Sequence, residues 1–320
     1  MYPYPSEGLA LVDRLHTVAV IGAGTIGASW AACFLANGLH VVAVDPVREE
    51  TDLRRAIDAM MPALENIGLA AASDQSRLRF STQINDGLAE VEFVQENVPE
   101  RLETKRETFR LLETVIGPQV IVSSSATALI PSDIQAGASH PERLLVGHPF
   151  NPPHLIPLVE VSGGAQTAPE VLDWAMGFYR KLGKAPVRMK REAYGHIANR
   201  LAAALFREAV HLVAEGITTV EDVDEVITQG PGLRWAFQGP FTTYHLAGGN
   251  EGFAHYMHHL GPSQEARWQT LGEPSLTEEL ITKLVNEVED ATAGRSPAQL
   301  ARIRDSGLVE LLRLKNSLPE

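Results

Sequence analysis

The His148 imidazole and the Glu160 carboxylate stand twelve positions apart, in Gly147-His148-Pro149-Phe150-Asn151-Pro152-Pro153 and Leu158-Val159-Glu160-Val161. A histidine just after a buried strand, with a carboxylate one strand later, can form a charge-supported pair. The carboxylate selects the imidazole tautomer and stabilises the cation it becomes, which suits a general base near neutral pH. The same two residues can also be a structural hydrogen bond, and by themselves they leave both readings open. A second chemical feature lies upstream. Gly22-Ala23-Gly24-Thr25-Ile26-Gly27 is a complete G-x-G-x-x-G that follows an apolar run, opens a helical stretch and precedes Asp45 at the end of the next apolar run.

In that setting each residue has a task. Gly22 permits the tight turn, Gly24 lets the backbone approach a pyrophosphate, and Gly27 lets helix and strand pack closely. The N–H groups at the helix start, around Thr25 and Ile26, stabilise the phosphate charge. Asp45 is placed to accept from both ribose hydroxyls of an adenosine and to repel a 2′-phosphate, so NAD is favoured over NADP. Arg48, close by in sequence, argues the other way. The alternative is a glycine turn that binds another nucleotide, or nothing.

The elements that must position these groups follow from the patterning. Thr17 to Ile21, His40 to Val44, Arg77 to Thr82, Glu92 to Glu96, Val120 to Ser124, Leu144 to Gly147 and Leu158 to Val161 read as strands. A helix from Thr25 to Ala36 is stopped by Asn37-Gly38. Apolar strands alternating with helices predict an α/β Rossmann-type N-terminal domain, with a doubly wound, mostly parallel sheet covered on both faces. Beyond about residue 190 strand signals largely stop. Ile197, Leu201, Leu205, Val210 and Leu212 follow a helical stripe, and Thr218-Thr219-Val220-Glu221 resembles a capping box. The expected division is a dinucleotide domain over 1–191 and an all-α C-terminal domain over 192–320.

Composition narrows the function classes. The 320 residues carry a net charge of −13, with 44% hydrophobic and 21% charged residues. So acidic a globular surface repels phosphate backbones and anionic lipid, so neither nucleic acid nor membrane is an expected partner. An anionic substrate would need a local cation. The single cysteine, Cys33, excludes an intrachain disulfide and reads as a small core residue within Trp30 to Leu35. The Met-Tyr-Pro-Tyr-Pro-Ser-Glu start lacks the features of a signal peptide, and no apolar run approaches the ~20 residues needed to span a bilayer. A cytoplasmic location is the expectation. His255, His258 and His259 share a helix face, but no acidic partner is spaced to complete a metal site, and no metal is expected.

The stretches VIGAGTIG, ENVPERLETK, SSSATALIPSDI, GHPFNPPHLIPLVEV and GHIANRL, in this order, resemble the 3-hydroxyacyl-CoA dehydrogenase family over nearly the entire chain. The resemblance implies that His148 removes the hydroxyl proton while hydride leaves the same carbon for NAD, with Glu160 as the partner of the histidine. It implies that Asn199 hydrogen-bonds the substrate oxygen and that Glu96 and Lys105 lie at the nicotinamide side of the cleft. One position departs from the family pattern. Ser125-Ala126-Thr127 stands where a serine usually binds substrate, and Thr127 keeps a hydroxyl there but adds a methyl group.

Gly230-Pro231-Gly232-Leu233-Arg234-Trp235 resembles the branch of the family that acts on free 3-hydroxy acids rather than thioesters. In that branch Arg234 would hold the substrate carboxylate through two parallel hydrogen bonds. The region is most similar to members acting on L-carnitine, and Trp235, Phe241, Tyr244 and Trp268 are rings that could surround a trimethylammonium group. L-gulonate and a 3-hydroxyacyl-CoA ester are the alternative substrates. The resemblance also implies a homodimer. A crystallin-like structural protein that binds NADH without turnover is the non-enzyme alternative. Retention of His148, Glu160 and Asn199 argues against it, and the lack of a basic helix argues against a DNA-binding regulator.

Overall fold

The computed structural model describes residues 15–69 and 74–318; the Met-Tyr-Pro-Tyr-Pro-Ser-Glu start lies outside them. Its strands are β1 (Thr17–Ile21), β2 (His40–Val44), β3 (Leu78–Ser81), β4 (Phe93–Glu96), β5 (Ile121–Ser124), β6 (Leu144–Pro149), β7 (Leu158–Gly163) and β8 (Ala185–Arg188). Between them run α1 (Thr25–Ala36), α2 (Glu50–Asn66), α3 (Leu102–Glu113), α4 (Pro131–Gln135) and α5 (Pro169–Lys181). All the strands join one sheet in the order β3-β2-β1-β4-β5-β6-β7-β8. Every neighbouring pair is parallel except β6 and β7, which run antiparallel. Strand β8 was not expected from the sequence. Its Ala-Pro-Val-Arg is largely exposed at the sheet edge, where proline is tolerated and apolar patterning is weak.

Side chains alternate across the sheet, so both faces are apolar. On one face Val18, Val20, Val41, Ala43 and Phe93 meet Trp30 and Phe34 of α1, Ile57 of α2 and Phe178 of α5. On the other, Ala19, Ile21, Val42, Val44 and Val94 meet Phe109 and Leu112 of α3 and Ile134 of α4. Phe93 anchors the first face, with its ring 4.5 Å from that of Phe178 and 5.7 Å from that of Trp174. Truncating so buried a ring to alanine typically costs about 3–5 kcal/mol. Helix α1 ends where the sequence predicts, because Gly38 takes the left-handed conformation (φ 79°) that lets the chain turn into β2. Cys33 is buried in this core, and burial raises its thiol pKa, with Lys184 opposing.

The chain forms two compact units, one reaching Ala198 and resuming at Arg304, the other Asn199–Ile303. The first unit extends past residue 191 because Glu160 on β7 binds the N–H groups of Ile197 and Ala198. The second unit carries α6 (Ala198–Ala214, from Asn199 onward), α7 (Val220–Gln229), α8 (Pro231–Trp235), α9 (Pro240–Ala247), α10 (Gly252–Trp268) and α11 (Glu278–Thr292). The last helix, α12 (Pro297–Ser317), begins in this unit and ends in the first, where Arg313 Nε donates to the Asn66 carbonyl at 2.7 Å. The capping box opens one residue later than Thr218. Thr219 Oγ1 accepts from the Asp222 N–H at 3.2 Å and donates to the Asp222 carboxylate at 2.8 Å, because Val220 is the first helical residue.

Candidate active site

The strand order reverses between β1 and β4, the point where open α/β sheets bind ligands beyond the carboxyl ends of their strands. Parallel registers put Ile21 beside both Val44 and Glu96, so Gly22, Asp45 and Asn97 emerge together. A cavity of ≈ 870 Å³ opens there, lined by Gly22, Gly24, Asp45, Val47, Arg48 and Asn97 among others. The glycines differ in what they relieve. A Cβ on Gly27 would sit 1.8 Å from the Gly22 carbonyl oxygen, and one on Gly22 (φ 88°) would sit 2.7 Å from that of Asn97. A Cβ on Gly24 would meet nothing within 4 Å, which leaves its approach face to a ligand. Thr25 and Ile26 begin α1, which has no side-chain cap, so the first N–H groups remain available to an anion. Asp45 is only 8% exposed. Its carboxylate accepts from Ala23 N–H at 2.7 Å, Val47 N–H at 2.8 Å and Arg48 N–H at 2.9 Å, and so ties the glycine loop to the turn after β2. The remaining lone-pair capacity is what a ribose would use. The residues present fit a dinucleotide.

His148 and Glu160 face each other directly across the antiparallel pair β6/β7. The carboxylate Oε2 lies 3.0 Å from His148 Nδ1. Glu160 Oε1 accepts from the N–H groups of Ile197 at 2.7 Å and Ala198 at 3.0 Å. Burial opposes ionisation of Glu160, but the bonds from His148, Ala198 and Ile197 outweigh it and hold its pKa below the usual glutamate value. An ionised carboxylate only accepts, so the bridging proton belongs to His148 Nδ1, and in the neutral imidazole this leaves Nε2 as the acceptor. The His196 ring stacks on that of His148, with centroids 4.8 Å apart and planes 26° from parallel.

Glu96 ends β4, Lys105 lies on α3, and Ser125 and Thr127 follow β5. Glu96 and Lys105 are 0% and 1% exposed and paired at 2.9 Å. Glu96 also accepts from Ser124 Oγ and the Val98 N–H, so the pair holds the 97–100 loop from beneath. The Ser125 hydroxyl is likewise committed. It donates to Asn97 Oδ1 at 2.7 Å and accepts from Gln95 Nε2 at 2.9 Å and Trp30 Nε1 at 3.2 Å, which uses its one donor and two lone pairs. Thr127, by contrast, is exposed. Its backbone is set by Glu100, whose Oε1 accepts from the N–H groups of Thr127, Ala128 and Leu129 at 2.8, 2.9 and 3.1 Å. Burial opposes ionisation of Glu100, but those donors together with Lys105 lower its pKa.

Glu100 and His196 were missed in the sequence although both lie inside quoted motifs. The backbone donors to Glu100 are at least 27 residues away, and no local spacing announces them. His196 could have been noticed as a histidine beside a glycine in GHIANRL.

The remaining candidates lie in the second unit. Asn199 is half-buried on the first turn of α6. Arg234 and Trp235 line an apolar cavity of ≈ 610 Å³, together with Tyr244, Tyr256, Leu205 and Gln238. Arg234 is exposed rather than buried, as are Phe241 (76%) and Trp268 (61%). The last two rings do not line the cavity; Tyr256 does, stacked on Tyr244 at 4.7 Å. His255 pairs with Glu251 at 3.1 Å and stacks on His259. Among the described residues no group of three or more His, Cys, Asp or Glu converges as a metal site, and no helix is long and apolar enough to cross a membrane.

Comparison with known proteins accords with this geometry. Residues 17–193 match the family model for the 3-hydroxyacyl-CoA dehydrogenase NAD binding domain, and residues 195–286 match that for the C-terminal domain of the same family. A protein from Streptomyces griseus subsp. griseus named L-carnitine dehydrogenase is 47% identical over 308 residues, covering 96% of this chain and 92% of its own. One of the same name from Streptomyces coelicolor is 46% identical over 307 residues, covering 96% of each. Among solved structures, the NAD+-dependent dismutase 5-formyl-3-hydroxy-2-methylpyridine 4-carboxylic acid 5-dehydrogenase superposes with a TM-score of 0.81 at 29% identity, covering 95% of this chain and 100% of that one. With both the NAD-binding domain and the helical C-terminal domain matched, the chain belongs to the 3-hydroxyacyl-CoA dehydrogenase family.

Proposed function

We propose that this chain oxidises the 3-hydroxyl of a small free hydroxy acid to the 3-keto acid with NAD, and that its leading substrate is L-carnitine, giving 3-dehydrocarnitine. The observation that carries the reading is the His148–Glu160 pair, in which an ionised carboxylate engages Nδ1 and leaves the other imidazole nitrogen able to take a proton. His148 Nε2 accepts the hydroxyl proton, and the imidazolium so formed is balanced by Glu160. NAD, when bound, supplies the acceptor for the hydride that leaves the same carbon. Gly22, Gly24, Thr25, Ile26, Gly27 and Asp45 would hold it. Thr127 and Asn199 are the groups assigned to the substrate oxygens.

The choice of acid rests on the second unit. Arg234 has no carboxylate partner in the described residues and can bind one through two parallel hydrogen bonds. Trp235, Tyr244 and Tyr256 line the same cavity, and a ring face turned to a quaternary ammonium group is worth ~0.5–2 kcal/mol. Relatives named for L-carnitine support it over L-gulonate. An NADH-formation assay comparing L-carnitine, L-gulonate, 3-hydroxybutyrate and 3-hydroxybutyryl-CoA tests the reading. Preference for the thioester would overturn the role of Arg234, and NADH binding without turnover on any of them would favour a structural protein.

The same reading makes the enzyme a cytoplasmic homodimer. Leu201, Phe206, Phe241 and Trp268 expose 60%, 65%, 76% and 61% of their surfaces on the second unit, apolar area that a second copy would cover. A monomeric mass in light scattering would remove it.

A further inference from the structure

His196 is the one buried titratable side chain beside the base that the mechanism above does not use. It is 1% exposed and has φ 51°, a left-handed conformation that a non-glycine residue adopts only when its surroundings enforce it. Gly195 before it also has positive φ, at 74°, and the His196 N–H closes the turn onto the Ala193 carbonyl at 3.0 Å. The turn delivers the ring to two places at once. One face lies on the His148 imidazole, and Nε2 reaches the Ala126 carbonyl at 2.9 Å. The remaining nitrogen, Nδ1, is buried and has no hydrogen-bond partner.

These contacts settle the tautomer. A carbonyl oxygen only accepts, so Nε2 carries the proton and Nδ1 is a bare lone pair. The opposite tautomer would set two lone pairs against each other and bury an unpaired N–H. The next two residues, Ile197 and Ala198, donate to Glu160, so one short segment touches the base, its carboxylate and the substrate turn.

We propose that His196 is a positioning residue: its neutral ring is the platform against which the His148 imidazole is held, and its Nε2–H clamps the Ala126 carbonyl so that base and Ser125–Thr127 turn keep a common geometry. The inference rests on the reading of His148 as base. The groups facing His196 are His148 on β6, Glu160 on β7 and Glu100 in the loop after β4. Burial and the adjacent His148 lower its pKa, while the Ala126 carbonyl and the two carboxylates oppose that shift. A neutral neighbour leaves the reaction's proton to His148 alone.

Two substitutions separate platform from clamp. His196→Phe keeps a flat ring and loses the bond to Ala126. His196→Asn tolerates positive φ and loses both. In His196→Phe we expect kcat close to the parent and a KM for the hydroxy acid raised about fivefold to tenfold, the loss of one hydrogen bond that orders the turn. In His196→Asn we expect the same KM effect and a kcat lower by up to about a hundredfold, as for a misplaced catalytic group. NADH affinity should be unchanged in both. Nitrogen-15 NMR of the ligand-free parent should show His196 neutral, protonated at Nε2, at pH 7.

Equal kinetics in all three proteins, equal loss of kcat in both variants, or a cationic or Nδ1-protonated His196 would overturn the proposal. His148→Gln is measured in parallel. If it keeps parental turnover, the base assignment fails while the NMR tautomer still decides whether the clamp exists.

Discussion

Alanine at two glycines of the same motif should have opposite signatures. At Gly27 a Cβ would lie 1.8 Å from the Gly22 carbonyl oxygen, just beyond β1, and 3.2 Å from Val20 Cγ1 within it. Contact distances between such atoms exceed 3 Å, so helix and strand would have to part by more than about 1 Å. Overpacking of that kind typically costs about 1–3 kcal/mol, and it also displaces the N–H groups meant for the pyrophosphate. At Gly24 nothing lies within 4 Å, and φ −65°, ψ −167° suits any residue. Gly→Ala there gains about 0.4–1 kcal/mol from the unfolded chain, offset by a similar loss because alanine is a poorer helix N-cap. Net stability should therefore stay within about 1 kcal/mol, a shift of about 2–4 °C or less in Tm. The added methyl group nevertheless fills the space through which the cofactor backbone must approach. Thermal melts without ligand and NADH fluorescence titrations measure the two properties separately. Gly27→Ala should lose both stability and affinity, and Gly24→Ala affinity alone. If Gly24→Ala binds NADH like the parent, the pyrophosphate does not lie at that turn. If Gly27→Ala melts like the parent, the packing argument is wrong.

Three further outcomes follow from the geometry. His148→Gln should lower turnover by ~10²–10⁴ while leaving NADH affinity unchanged, the usual worth of a general base, measured by steady-state kinetics and titration. Ser125→Ala should melt earlier, by about 1–3 kcal/mol, with little change in KM, because its hydroxyl serves Trp30, Gln95 and Asn97; a raised KM at unchanged Tm would restore a substrate contact. His154 is buried, its backbone N–H bonded to Ser29 Oγ at 2.7 Å, and burial pushes its pKa down to about 4, with Asp305 opposing and Lys184 and Arg304 reinforcing. The unfolded chain takes up this proton near pH 6.5 and the folded chain only near 4, so the unfolded state binds more protons between those values. Stability should fall through that window as pH drops, by about 3 kcal/mol in all. His154→Asn should flatten the curve by that amount in denaturant melts taken across the range, and parallel curves for parent and variant would refute the assignment.

Much of this protein was decided locally and could be read from the chain. The glycine loop, the strands of the sheet core and the stop of α1 at Gly38 depend on backbone sterics and on apolar periodicity, which are properties of neighbouring residues. The Asp45 turn and the pairing of His148 with Glu160 were likewise visible, since a short antiparallel connection puts residues twelve positions apart directly opposite. Other features depend on which distant groups share a site. Trp30, Gln95 and Asn97 converge on the Ser125 hydroxyl from other elements, and Glu96 and Lys105 are buried against each other. Glu100 and His196 gained roles for the same reason, through backbone groups of 126–129 that no spacing pattern connects to them. A hydrogen-bonding side chain has few valences, and only the tertiary structure determines which neighbours fill them before a ligand can.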